Sequence, residues 1–191
     1  MKLLLIDSTQ DRLLIAVKNG EQIEYQFGNG DKGSTSSSII PLIQKVLSTS
    51  GIAVNDLDCV FAVVGPGSFT GIRIGVCTAE AIGFGANIDK CSLTVFDGFK
   101  QDKLCVIQSR RGYCYYYNQG VYGEMSEDEV KATSDYYYRY CDLSGIAISD
   151  EEYVNNLVNI AEIKYSKGNL TPLEPMYLKK SQAERMREEK K

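Results

Sequence analysis

A continuous apolar run from Cys59 to Val64 stops at Gly65 and passes into Gly65-Pro66-Gly67-Ser68-Phe69-Thr70-Gly71-Ile72-Arg73-Ile74-Gly75. A strand without polar alternation is one covered on both faces, which points to an α/β fold with helices flanking the sheet. The glycine-rich turn then opens a helix over about residues 70 to 85, with Ser68 or Thr70 as its cap. N–H groups at such a helix start lack intrahelical partners and attract anions, so a phosphate site is physically available here. The spacing fits no familiar phosphate loop. Five residues beyond Gly65 lies Thr70, five beyond Gly67 lies Ile72, and no Gly-Lys-Ser/Thr follows. For G-x-G-x-x-G the third glycine comes one place late. A phosphate site and a purely structural turn both stay open.

Within that helix Gly71, Gly75, Ala79 and Gly83 recur every four residues and line one narrow stripe. Each glycine lowers helix propensity by about 1 kcal/mol. That cost is offset where another backbone approaches closely. The approaching element is either the chain's own first helix or a helix of a partner protein.

Elsewhere, residues 2 to 8 read as a buried strand ending at Asp7-Ser8-Thr9, followed by strands at about 12 to 18 and 21 to 27. Asn19-Gly20 between them is a strong hairpin signal, because both turn positions need positive φ. The stretch GNGDKGSTSSS reads as a loop. Ile39, Leu42, Ile43, Val46 and Leu47 then fall on one helical face that ends near Gly51, with Pro41 placed close to the helix start. Residues 91 to 95 read as a strand, with a polar loop around Asp97 and Gly98. Further strands follow at 103 to 108, at 113 to 118 and at either 136 to 140 or 143 to 148. Helical composition covers 126 to 133 and 150 to 166. The tyrosines at Tyr113, Tyr115, Tyr116, Tyr117, Tyr136, Tyr137, Tyr138 and Tyr140 are read as strand packing, since no basic surround accompanies them to make a base-stacking surface.

The 191 residues contain no histidine. This excludes Ser-His-Asp and Cys-His catalysis, histidine metal sites and the usual general base near neutral pH. Net charge is −4, which argues against a nucleic-acid binder acting alone. Residues 179 to 191 differ, with six basic and three acidic side chains. We read them as a solvated helix, with RNA contact inside a complex as the alternative. The six cysteines form no C-x-x-C and are read as free. No run approaches the roughly 20 apolar residues of a membrane helix. The start, MKLLLIDSTQ, lacks the features of a signal peptide, so the expected location is cytoplasmic.

At GPGSFTGIRIG the sequence resembles the TsaB (YeaZ) family, whose motif turn maps here onto Gly65, Pro66, Gly67, Ser68, Phe69, Thr70, Gly71, Arg73 and Gly75. Asp56-Leu57-Asp58 before the strand, the opening LLLIDST and Ser109-Arg110-Arg111-Gly112 resemble further family elements. So do Leu173-Glu174-Pro175 through Tyr177-Leu178 and Ser181-Gln182-Ala183-Glu184. Thr35-Ser36-Ser37 stands where the family often has H-S-E, and the middle of the chain is short.

The resemblance implies a two-lobed fold of the actin, sugar-kinase and Hsp70 (ASKHA) type with a reduced second lobe. The expected division is 1–100, joined by a C-terminal helix over 175–191, and a smaller lobe over 101–174. Asp7-Ser8-Thr9 would correspond to the phosphate-handling turn of active relatives. The resemblance also implies a subunit with no catalytic residue and no metal or cofactor of its own. Its partners would be TsaD in a heterodimer, TsaE, and tRNA through the complex, which uses ATP; a homodimer of the isolated chain stays open. Family dimerisation uses the first two helices, here about 36 to 50 and 70 to 85. On that implication and on the small-residue stripe, the interface is expected at Ile39, Ile43, Val46, Ile72, Val76, Ala79 and Gly83. The alternatives are a metallopeptidase-like enzyme, which the missing histidines disfavour, and a small-molecule kinase. The kinase would need a second glycine-rich loop, for which Ser144-Gly145 and Lys167-Gly168-Asn169 are the candidates.

Overall fold

The computed structural model describes residues 1–28 and 35–178. Its first unit is an antiparallel meander of β1 (Lys2–Asp7), β2 (Leu14–Asn19) and β3 (Gln22–Phe27). Asn19 pairs with Gln22, so the two-residue turn is Gly20-Glu21, one place later than expected. Positive φ falls on Gly20 (61°), the glycine-first form of the hairpin turn, while Asn19 remains the last residue of β2.

Helix α1 (Thr35–Thr49) begins inside the serine run that composition assigns to a loop. Pro41 is therefore interior to the helix, where it lacks the N–H that Ser37 would have accepted, and it faces solvent. A 3₁₀ turn (Val54–Asp56) leads to β4 (Cys59–Val63), then α2 (Phe69–Ala86) and β5 (Asp89–Leu93). Helix α2 is capped by Ser68, whose side chain accepts from Gly71 N, and ends at Asn87 in a left-handed conformation. The first sheet has the order β3-β2-β1-β4-β5, with β1, β4 and β5 parallel.

A second 3₁₀ turn (Val95–Gly98) precedes β6 (Leu104–Arg110), β7 (Tyr113–Asn118), β8 (Val121–Ser126), α3 (Glu127–Lys131), β9 (Tyr136–Arg139), β10 (Ile146–Ala147) and α4 (Asp150–Ser166). These strands form a second sheet in the order β10-β9-β6-β7-β8. Both segments offered as alternatives for one strand are strands. Strand β8 was not expected, because Gly123 breaks its alternation. A side chain at 123 would strike the Tyr116 ring on β7.

Burial follows from the two sheets. One face of the first sheet, through Leu4, Ile6, Ile15 and Val17, packs under α1 and α2. Its other face, through Leu3, Leu5, Phe61 and Val63, meets α4 together with Cys105, Ile107, Tyr115 and Tyr137 of the second sheet. A third cluster, around Val106, Cys114, Val130, Tyr136 and Leu143, lies on the far side of the second sheet. After α4 the chain returns to the first sheet, where Ser92 N donates to Thr171 O (3.0 Å) and Met176 N to Val64 O (2.7 Å). Of the helix expected over 175–191, residues 175–178 are not helical. The basic tail 179–191 and its Ser181-Gln182-Ala183-Glu184 element lie outside the described residues.

Candidate functional site

A cleft of about 270 Å³ opens where the two sheets meet. Thr9, Gln10 and Asp11 of the β1–β2 loop form one wall, Gly67 and Ser68 before α2 another, and Gln108 and Ser109 at the end of β6 a third. Tyr115 and Tyr140 complete it. Among the described residues neither lysine nor arginine lines it, and Asp11 is the one carboxylate that does.

Asp7, the residue expected to correspond to a phosphate-handling turn, is buried beneath this cleft. Its Oδ1 accepts from Thr9 N (2.9 Å) and Thr9 Oγ1 (2.6 Å), and its Oδ2 accepts from the Tyr153 hydroxyl on α4 (2.8 Å). Burial raises the Asp7 pKa above its ordinary value, outweighing the lowering by Thr9, Tyr153 and Arg139. Burial also pushes the Tyr153 phenol well up, and the Tyr140 phenol to about 12, so both stay protonated near neutral pH.

The glycine-rich turn proves to be a packing element. The Ser68 N–H donates to Thr9 O (2.7 Å), and Ser8 Oγ donates to the Gly71 carbonyl (2.7 Å). Gln10 Nε2 reaches Pro66 O (3.3 Å). A Cβ on Gly67 would collide with the Thr9 carbonyl, one on Gly71 with the Ser8 carbonyl, and one on Gly75 with Ser8 Oγ. Gly65, at φ 129°, lies against the Met176 carbonyl. The space in front of these glycines is thus filled by the chain itself, and the Ser68 and Gly71 N–H groups are already engaged. These residues do not fit a bound phosphate. Phe69 stacks on Tyr177 (4.4 Å between centroids). Arg73 lies over the Phe69 ring (4.0 Å) and donates Nε–H to Tyr177 Oη (3.1 Å), while Thr70 faces solvent.

The second-loop candidates of a kinase reading also lie elsewhere. Gly145 packs on the Tyr136 ring, and Lys167-Gly168-Asn169 terminates α4 through bonds back to Ile163, Tyr165 and Lys164. Among the described residues, no group of three or more acidic, cysteine or histidine side chains is placed to hold a metal ion.

The small-residue stripe corrects an expectation. The groups that approach Gly71, Gly75 and Gly83 are the β1–β2 loop and the Lys90 stem on β5, not α1. Ile39, Ile43, Val46, Ile72, Val76, Ala79 and Gly83 all face the chain's own first sheet, with Ala79 at 0% and Val76 at 7% exposure. They are core residues, because the periodicity that marks an apolar helical face does not say what covers it. The outward face of the same helices carries Ile40 (48% exposed), Arg73, Cys77, Ala81 and Phe84 (87% exposed).

Sequence reasoning missed a polar cluster beside the cleft. Arg139, buried at the end of β9, donates Nη2–H to Asp150 Oδ1 (2.5 Å) and Nη1–H to Ile148 O (2.9 Å). Its guanidinium stacks on the Tyr140 (4.4 Å) and Tyr153 (4.5 Å) rings. Arg12 of the β1–β2 loop reaches the other oxygen of Asp150 (2.9 Å), tying the first sheet to α4. An arginine inside the aromatic run YYYRYC was the available signal, since a cation there needs a buried partner.

Comparison with known proteins adds the following. The model of the family described as "TsaD: tRNA N6-adenosine threonylcarbamoyltransferase" matches residues 34–181. The chain is 27% identical over 143 residues to the Escherichia coli tRNA threonylcarbamoyladenosine biosynthesis protein TsaB, covering 69% of this chain. It is 25% identical over 134 residues to the Haemophilus influenzae protein of the same name, covering 68% of this chain. The matched region spans 62% and 57% of the length of these two relatives. Among solved structures, YeaZ from Pseudomonas aeruginosa superposes with a TM-score of 0.70 at 17% identity, over 93% of this chain and 99% of that one. That likeness shows the fold, an α/β architecture of two mixed sheets flanked by helices.

Proposed function

Because this chain belongs to the family described as TsaD, tRNA N6-adenosine threonylcarbamoyltransferase, we propose that it is the non-catalytic TsaB-type subunit that binds and activates a TsaD partner. The reaction served is threonylcarbamoylation of the tRNA adenosine next to the anticodon, carried out in the cytoplasm with TsaE and with ATP used by the complex. The names of the E. coli and H. influenzae relatives support this reading. No helix among the described residues is long and apolar enough to cross a membrane.

One observation carries the partner role: α1 and α2 bury one face on their own sheet and leave Phe84 almost fully exposed on the other. A large aromatic held in water on a rigid helix is the kind of anchor from which a protein interface draws affinity. The engaged Asp7 supports a subunit without phosphoryl chemistry, as does a cleft that no lysine or arginine lines among the described residues.

The test is size-exclusion chromatography with light scattering on the chain, alone and mixed with TsaD from the same organism. We expect a heterodimer that is lost in Phe84→Arg and Ile40→Arg while circular dichroism and Tm stay unchanged. Survival of the complex in both variants would remove the helix pair as the interface. Failure to form any complex, with ATP and TsaE present, would remove the partner reading itself.

A further inference from the structure

The exposed residues along the outward side of α2 include Arg73, Cys77, Ala81 and Phe84. Arg73 and Phe84 are eleven residues apart in this helix. At 3.6 residues per turn that separation is three full turns to within about 20°, so both stand on one face, roughly 16 Å apart along the axis. Cys77 and Ala81 lie between them with small side chains, which leaves the helix surface open to close approach by a second element.

Arg73 is held in a fixed direction although it is exposed. Its guanidinium carbon lies 4.0 Å from the centre of the Phe69 ring and 6.0 Å from that of Tyr177, and the two rings stack at 4.4 Å with 28° between their planes. Arg73 Nε–H donates to Tyr177 Oη (3.1 Å). Tyr177 is fixed in turn by its neighbour, since Met176 N donates to Val64 O (2.7 Å) just past β4. Arg12 and Arg139 share Asp150, and Arg110 reaches Glu124. Among the described residues no carboxylate pairs with Arg73, and of its five N–H donors only Nε–H has a partner. Ring stacking and one hydrogen bond have already removed much of the rotamer freedom that a surface arginine loses on binding. A planar guanidinium fixed in this way is set for a two-pronged contact with an oxyanion.

We propose that Arg73 is a preorganised hook for a carboxylate side chain of the protein partner, with Phe69 and Tyr177 as its positioning residues. This rests on the partner reading given above and adds the chemistry that the partner brings. An aspartate or glutamate meets Arg73, roughly 16 Å from the apolar pocket that takes Phe84. The two contacts together set the register of the partner along α2. A protein carboxylate fits this face better than an RNA phosphate. Helix α2 carries no other lysine or arginine with which to follow a phosphate backbone, and Cys77, Ala81 and Phe84 make the rest of the stripe apolar.

The test uses the full chain with TsaD from the same organism. Isothermal titration calorimetry gives Kd for the wild type, Arg73→Gln, Arg73→Lys and Tyr177→Phe, each checked for an unchanged Tm. The expected loss of affinity is about 30-fold or more in Arg73→Gln. Tyr177→Phe, which keeps the stack and loses the hydrogen bond, is expected to lose about threefold. Arg73→Lys keeps the charge without the fork and should fall between wild type and Arg73→Gln. In that variant a water-soluble carbodiimide should couple the introduced amine to an aspartate or glutamate of TsaD, read as a linked peptide by mass spectrometry. Arg73→Gln binding within about twofold of the wild type overturns the carboxylate hook and leaves the partner reading intact. Unchanged TsaD binding by Arg73→Gln with weakened retention of tRNA assigns the guanidinium to phosphate and also overturns it. So does an Arg73→Lys complex that forms without the link, which decides the matter if Arg73→Gln lowers Tm. If the wild type binds no TsaD, the partner reading itself falls, and this proposal with it.

Discussion

At Gly71 the backbone of α2 lies directly against the Ser8 carbonyl, and Ser8 Oγ bonds back to the Gly71 carbonyl. Alanine there must push the β1–β2 loop away, and we expect Gly71→Ala to cost about 2–3 kcal/mol in urea unfolding. Gly85, near the end of the same helix, has open space where a Cβ would go. Gly85→Ala is expected to stabilise by about 0.5–1 kcal/mol, since it only removes unfolded-state freedom. Two glycines of one motif-bearing helix thus have opposite signs. Asp7 makes a prediction in pH. Its folded pKa lies above the ordinary 3.8, so its contribution is fully present below 3.8 and is lost as pH rises through the folded value. The stability gap between the wild type and Asp7→Asn should therefore be widest near pH 4 and narrow toward neutral pH. A gap that widens with pH would mean that Asp7 is held ionised instead. The spacing of Gly71, Gly75 and Gly83 was legible as a demand for close approach. That the approaching groups are Ser8 and Lys90 was not, because those contacts depend on how β1 and β5 are placed in the sheet.

Helix α2 has two faces with different tasks. Its inner face, with Ile72, Val76 and Ala79, belongs to the core under the first sheet. Arginine at Val76 would bury an unpaired charge and should cost more than about 4 kcal/mol, unfolding the chain rather than merely breaking a complex. Phe84→Arg on the outer face should leave stability within about 0.5 kcal/mol of the wild type. Equilibrium unfolding of the two variants, read beside light scattering with TsaD, separates loss of fold from loss of partner. If Val76→Arg folds as stably as the wild type, the inner face is not the core we describe. At this scale the elements themselves were well marked. The apolar run of β4, the period of α1 and the turn before α2 each carry a local signal. Strand β8 carried none, because Gly123 interrupts its alternation in favour of the Tyr116 ring. The start of α1 was obscured by serines, which are as common in loops as in first turns.

Across the whole molecule, Asp150 joins the two sheets: it accepts from Arg139 on β9 and from Arg12 in the β1–β2 loop. Partial burial raises its pKa, but the hydrogen bonds from Arg139 and Arg12 outweigh this and leave it lowered. A depressed carboxylate contributes stability that is present above pH 3.8 and is lost as pH falls through the folded value. Asp150→Asn should cost about 1–2 kcal/mol at pH 7, where it strips a buried guanidinium of this carboxylate, and markedly less near pH 3. Guanidinium-chloride unfolding at the two pH values measures this, and an equal cost at both would mean that the ion pair contributes nothing. The sequence by itself determined most of the succession of elements, though not β8 or the pair β9 and β10, together with the helix-opening glycine turn and the exclusion of histidine chemistry, since periodicity, turn propensity and side-chain chemistry are local properties. Only the tertiary structure decided that Asp7 is sealed by Tyr153, 146 residues away, and that the stripe of α2 faces inward. It also decided that Arg139 holds the sheets together through Asp150. Contacts at such separations leave no periodic trace in the chain. They arise only when the hydrophobic faces of two sheets are brought together and the polar groups trapped between them must find partners.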